Sequence, residues 1–146
     1  MGNLQLTSSA FSHGEEIPRK CGYKNGNEAP PLAINGIPEG TKSLTLIMDD
    51  PDAMGAVGKI WVHWVVWNID PTATENLRDA TEGMTDFGEA AYGGPAPPDK
   101  RHTYVFKLNA LNCKLEIAGE STKADVEKAM EVHILEQATL TGTYAP

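Results

Sequence analysis

The sequence is short of cysteine, of basic charge and of long apolar runs. Only Cys21 and Cys113 are present. They lie far apart with no C-x-x-C pair, which excludes a disulfide framework and a paired-cysteine zinc site. Neither is flanked by the basic cluster that activates a thiolate, so both are expected as reduced thiols. Lys and Arg number 12 against 20 Asp and Glu, a formal charge of −8. Such a surface repels phosphate backbones and anionic membranes, which speaks against nucleic acid as a partner. No apolar run approaches the ~20 residues of a transmembrane helix, so membrane insertion is not expected. The N-terminus has neither the basic nor the apolar region of a signal peptide, and a cytoplasmic location is the expectation. Also missing are G-x-S-x-G, H-E-x-x-H, a phosphate-binding Walker loop and a dinucleotide fingerprint, and no cofactor is implied. With 146 residues and 40% hydrophobic content, the chain is read as one domain, residues 1–146, with a real core.

What is present is organised around Ser43–Ile69. Leu44–Met48 is a short apolar run bounded by turn-formers, and Ile60–Ile69 is a longer one, apolar at nearly every position. Both read as strands. Side chains alternate along a strand, so Leu44, Leu46, Met48 and Asp50 share one face. In the second run Trp61, His63, Val65 and Trp67 are predicted to point one way, and Val62, Trp64, Val66 and Asn68 the other. Both faces are apolar, which predicts a central strand. Asp49, Asp50 and Asp52 gather in the loop between the runs. Leu4–Leu6 reads as a short edge strand, and Gly and Pro throughout residues 20–42 predict short strands joined by tight turns. A helical turn is expected around Glu75–Arg78. The loop Tyr92–Arg101, Y-G-G-P-A-P-P-D-K-R, leads into a strand in which His102, Tyr104, Phe106 and Leu108 face inward. Thr122-Lys-Ala-Asp125 resembles a capping box. Val126, Ala129, Met130, His133, Ile134 and Ala138 then recur at helical spacing, and Thr141–Tyr144 closes the chain as a turn and short strand. Many short strands and one late helix predict an all-β sandwich.

Asp50 and Asp52 end one strand, His63 sits within another, and His102 and Tyr104 open a third. The loop before His102 offers glycine backbone that can approach an anion closely, and prolines that stiffen it. Imidazoles, a phenol and backbone donors beside a carboxylate suit a small phosphate or carboxylate group. The plainer reading is a hydrogen-bonded core histidine, turn acids and an ordinary loop. A third reading makes two histidines and an aspartate a metal-dependent enzyme site.

Four motifs then come in order: D-P-D-A at Asp50–Ala53, H-W at His63-Trp64, Y-G-G-P-A-P-P at Tyr92–Pro98 and H-x-Y at His102–Tyr104. F-S-H-G-E-E-I-P, N-E-A-P-P-L at Asn27–Leu32 and the closing L-T-G-T-Y extend the match almost end to end. Together they resemble the phosphatidylethanolamine-binding protein family in its short prokaryotic, Raf kinase inhibitor-like form. The resemblance implies a Greek-key β-sandwich with a short C-terminal helix and a small anion pocket walled by Asp50, Trp61, His63, the Gly94–Ala96 backbone, His102 and Tyr104. It implies a binding protein, not an enzyme, for a phospholipid head group or other phosphorylated group. It further suggests a regulator of a protein kinase or protease, and a homodimer. The remaining alternatives are the metal-dependent enzyme and an interaction protein with a vestigial pocket. Met54 stands where the family usually has proline, Lys100 where glycine is common, and Thr103 in place of the arginine of H-R-Y.

Overall fold

The computed structural model describes residues 2–72, 77 and 80–146. Among the described residues, seven strands and two α-helices follow in the order β1 (Gln5–Thr7), β2 (Ala33–Asn35), β3 (Ser43–Asp50), α1 (Ala53–Val57), β4 (Trp61–Ile69), β5 (Thr81–Glu82), β6 (His102–Leu111), α2 (Lys123–Met130) and β7 (Ile134–Tyr144). A 3-10 turn at Arg19–Cys21 precedes the loop-rich stretch before β2. The main sheet has the order β5-β4-β3-β6-β7, antiparallel throughout, and β1-β2 forms a second small sheet. Strands β3, β4 and β5 are consecutive, and β6 returns to lie beside β3, which is a Greek key. The expected all-β fold with a late helix is therefore observed. The helical turn expected at Glu75–Arg78 falls, apart from Leu77, outside the described residues.

β3 is central because its eight residues are all buried. One face of the sheet, with Leu46, Met48, Trp64, Tyr104 and Phe106, packs under Leu6, Phe11, Ile17 and Ile34 from the N-terminal layer. The other, with Ile47, Val65, Trp67 and Leu111, packs against Val126 and Met130 of α2. Burial of side chains this size, at roughly 1.5–3 kcal/mol each relative to exposure, makes these two interfaces the main source of stability. Asp49 faces α2, where Lys123 reaches it at 2.8 Å and Lys107 at 3.6 Å.

Two predictions about side-chain direction are corrected. Between β3 and β4, Met48 pairs with Trp64 but Asp49 pairs with Val62, so β4 carries one extra residue, His63. This β-bulge interrupts the alternation. Trp61 and His63 turn toward the N-terminal layer together with Trp64 and Val66, whereas Val65 and Trp67 face α2. The four residues expected on one face are split between two. A second slip follows at Asn68, whose φ is 56° and whose amide group bonds both the N–H and the carbonyl of Leu115.

The late helix is also shorter than its periodicity implied. Its capping box is present: Thr122 Oγ1 accepts from the Asp125 N–H, and the Asp125 carboxylate accepts from the Thr122 N–H. The helix ends at Met130, however, and residues predicted to extend it, Ile134 and Ala138, lie in the 11-residue strand β7. T-L-T-G-T-Y combines β-branched and aromatic residues with a helix-weakening glycine. Pairing with β6 along nearly its whole length, from Ile134 against Leu111 to Tyr144 against His102, decides the outcome.

Candidate functional site

Three adjacent strands bring the chemistry to one end of the sheet. Asp50 is the last residue of β3, His102 the first of β6, and Trp61 the first of β4. His102 is fully buried. Its Nδ1–H donates to Asp50 Oδ2 at 2.6 Å, and its Nε2–H donates to Asp99 Oδ1 at 2.7 Å. A ring that donates from both nitrogens is an imidazolium. Burial alone would favour the neutral ring, but the two carboxylates outweigh it and hold the pKa of His102 above the ordinary histidine range. Asp50 is itself fixed: its Oδ1 accepts the N–H of Asp52 at 2.9 Å. Asp52 in turn accepts the N–H of Thr103 at 2.8 Å, tying the start of α1 to β6.

The second histidine is in the opposite state. His63 Nδ1–H donates to the Gly93 carbonyl at 2.7 Å, so on the neutral ring Nε2 is an acceptor. Burial lowers its pKa, against the opposing pull of that carbonyl and of Asp50. The ring stands edge-on to Tyr104 at 5.1 Å and to Phe87 at 5.2 Å. The Tyr104 hydroxyl is buried and has no hydrogen-bond partner among the described residues. Burial, followed by the nearby Asp50 charge, raises its pKa, so it remains a phenol.

Above this floor lies a cavity of ≈ 240 Å³ with apolar walls supplied by Ala53, Ala56 and Val57 of α1, Trp61, Phe87 and Pro98. Asp50, His63, Ala96 and His102 complete the lining. Of the residues singled out by sequence, Asp50, Trp61, His63, Ala96 and His102 converge here, and Tyr104 lies behind His63. Gly94 does not line the cavity. Its N–H donates to Asn27 Oδ1 at 2.7 Å, and the Gly93 N–H donates to the His63 carbonyl at 2.9 Å. Neither amide is directed at a ligand. These glycines serve packing: a Cβ on Gly94 would stand 1.9 Å from the Cys21 carbonyl oxygen, and one on Gly93 would stand 2.3 Å from the Phe87 ring.

Sequence reasoning missed α1, Phe87 and Asp99. The two glycines of D-A-M-G-A-V-G suggested only loop, whereas Gly58 is the left-handed cap of a short helix, at φ 77°. Phe87 is a lone aromatic in a turn and carried no signal. Asp99 stands three residues before His102, in P-P-D-K-R-H, and that spacing could have found it. Among the described residues, no group of three or more His, Cys, Asp or Glu side chains is arranged to hold a metal ion. Of the three departures from the family pattern, Met54 lies exposed on α1, while the Lys100 and Thr103 amides hold Asp99 and Asp52. No described helix is long and apolar enough to cross a membrane.

Residues 7–145 match the family model for phosphatidylethanolamine-binding protein. The chain is 40% identical over 148 residues to a UPF0098 protein of Chlamydia pneumoniae, covering 97% of this chain and 98% of that one. It is also 40% identical to a UPF0098 protein of Methanothermobacter thermautotrophicus over 151 residues, with 97% and 98% covered. Among solved structures, a putative phosphatidylethanolamine-binding protein homolog, CT736 of Chlamydia trachomatis, superposes with a TM-score of 0.90 at 36% identity, covering 99% of this chain and 98% of that one. YbcL of E. coli, described as a member of the mammalian PEBP family, superposes with a TM-score of 0.87 at 33% identity, with 98% of both chains covered. With a match that runs nearly end to end in sequence and in fold, the chain belongs to the phosphatidylethanolamine-binding protein family.

Proposed function

We propose that this protein binds a small oxyanion, free or as the phosphate of a larger ligand, in the cavity between His102, His63 and α1. Family membership carries a binding role in general, and the site chemistry supports the narrower reading. The observation that carries it is the charged, fully buried His102 at the floor of a cavity with apolar walls. Both of its N–H groups already face carboxylates, so an external anion reaches the imidazolium by exchange with one of them, and once there it is weakly screened by water. Neutral His63, which lines the cavity, adds an acceptor for a protonated oxyanion or for an amine beside it. The apolar walls fit the carbon portion of a phosphate ester. The Tyr104 phenol behind the cavity is held protonated by burial, and the protein is read as binding without turnover. A role in restraining a kinase or protease would follow from capture of a phosphorylated side chain in the same cavity.

The test is an NMR titration with inorganic phosphate and with phosphoethanolamine. The His63 and His102 ring signals and the Ala96 amide should move together and saturate. Shifts scattered over the surface, or confined to Lys100 and Arg101, would refute the assignment.

A further inference from the structure

A protein of charge −8 that binds an anion beside the Asp50 carboxylate faces an evident repulsion. A second carboxylate, outside the cavity lining, already caps the other ring nitrogen of His102. Asp99 belongs to the loop rather than to the sheet, and its side chain is 44% exposed. It approaches from solvent and ends on the Nε2 side of a ring that is itself 0% exposed. The same oxygen, Oδ1, accepts the Lys100 N–H at 2.9 Å, which holds the carboxylate in place through a local turn. The arrangement is a carboxylate, an imidazolium and a carboxylate in line. The imidazolium thus holds two negative groups at once, Asp50 in the cavity lining and Asp99 outside it.

We propose that Asp99 is an internal competitor for the anion site, and that its carboxylate must leave His102 before an external oxyanion can take the same N–H. The proposal rests on the oxyanion-binding reading above and deepens it. The exchange conserves the hydrogen bonds of the ring: His102 keeps two anionic acceptors, one of them now the ligand, while the Asp99 carboxylate and the exposed Lys100 N–H it releases turn to water. Displacement requires only rotation of an exposed side chain, with β6 and Asp50 unmoved.

The competitor also sorts ligands. A bare dianion displaces Asp99 and leaves a second negative charge at the rim, which repels it. A phosphate ester bearing an ammonium group turns that displaced carboxylate into a partner. Asp99 therefore lowers affinity for sulfate or free phosphate and favours zwitterionic phosphoesters. Two other acids nearby do not share the role. Asp50 is held on the far side of the ring by the Asp52 N–H, and Asp52 is committed to Thr103.

The experiment is calorimetry of sulfate and phosphoethanolamine against the wild type, Asp99→Asn and Asp99→Ala, at a pH where the NMR ring signals show His102 protonated in all three. The expected result is sulfate binding about tenfold or more tighter in both variants, the worth of one charged hydrogen bond no longer displaced. Phosphoethanolamine should gain much less. The sulfate gain should persist at ~0.5 M ionic strength, where the effect of a merely nearby charge is screened. In the wild type, the Asp99 carboxyl carbon signal should move on addition of sulfate. Unchanged or weaker sulfate binding in the variants, a gain that vanishes with salt, or a silent Asp99 signal would each overturn the proposal while leaving anion binding standing. Failure of all three proteins to bind either ligand would instead overturn the oxyanion reading, and this inference with it.

Discussion

Replacing Asp50 by Asn should destabilise the protein by an amount that depends on pH, because the substitution removes the charge that keeps His102 protonated. In the wild type the pair is buried on both sides, at 0% and 4% side-chain exposure, with a 2.6 Å contact. Removing one partner of such a pair costs roughly 3–5 kcal/mol when the other is left charged. Here Asp99 still faces Nε2, and the Asn carbonyl can accept from Nδ1, so the lower end applies, about 3 kcal/mol near pH 5.5. His102 has a folded pKa above its unfolded value of about 6.5. The folded state thus holds the extra proton between those two values, and stability falls as pH rises through that window. The contribution is complete below the unfolded pKa and is lost above the folded one. At high pH both proteins carry a neutral ring, and the difference should shrink to about 1 kcal/mol, that between a charge-assisted and a neutral hydrogen bond. Urea unfolding followed by tryptophan fluorescence near pH 5.5 and at a pH above the folded titration of the His102 ring, located by NMR, measures it, with unchanged m-values as the two-state check. The melting temperature should drop by about 6–12 °C near pH 5.5. The lowered pKa of His63 acts in the opposite sense, giving stability that is lost as pH falls below about 6.5. Its effect is present in both proteins and largely cancels in the difference. Equal destabilisation at the two pH values would refute a charged His102 held by Asp50.

Sulfate affinity should fall as pH rises through the folded pKa of His102, since the buried cation disappears; sulfate does not titrate there, and a flat calorimetric profile would contradict the assignment. Gly94→Ala should destabilise by about 2 kcal/mol or more, because its new methyl would collide with the Cys21 carbonyl; thermal melts decide it. Thr122→Ala should cost about 1 kcal/mol through loss of the capping box at α2, without altering phosphate titrations. Leu46→Ala, at a fully buried position under the N-terminal layer, should cost about 2–5 kcal/mol in urea unfolding.

The sequence alone determined which residues could meet. Alternation along Leu44–Met48 and along His102–Leu108 put Asp50 on the side of the apolar face and His102 on the side of Tyr104, and both hold in the structure. The order of the motifs pointed to the family, and the T-x-x-D signal placed the start of α2, because these depend on neighbours a few residues apart. Long-range pairing decided the rest. The bulge at His63 exists because β3 and β4 slip by one residue beside Asp49, and only the slip turns His63 and Trp64 to the same layer. Ile134 and Ala138 continue the helical spacing and so mislead, and pairing with β6 places them in a strand. The Gly93 and Gly94 amides looked free for a ligand until the folded chain brought the His63 carbonyl and Asn27 to them. Asp99 stood in the loop sequence with no role assigned to it. Its contact with His102 depends on the path of the Pro95–Arg101 loop, which tertiary packing sets, and that contact gives the imidazolium a second carboxylate besides Asp50.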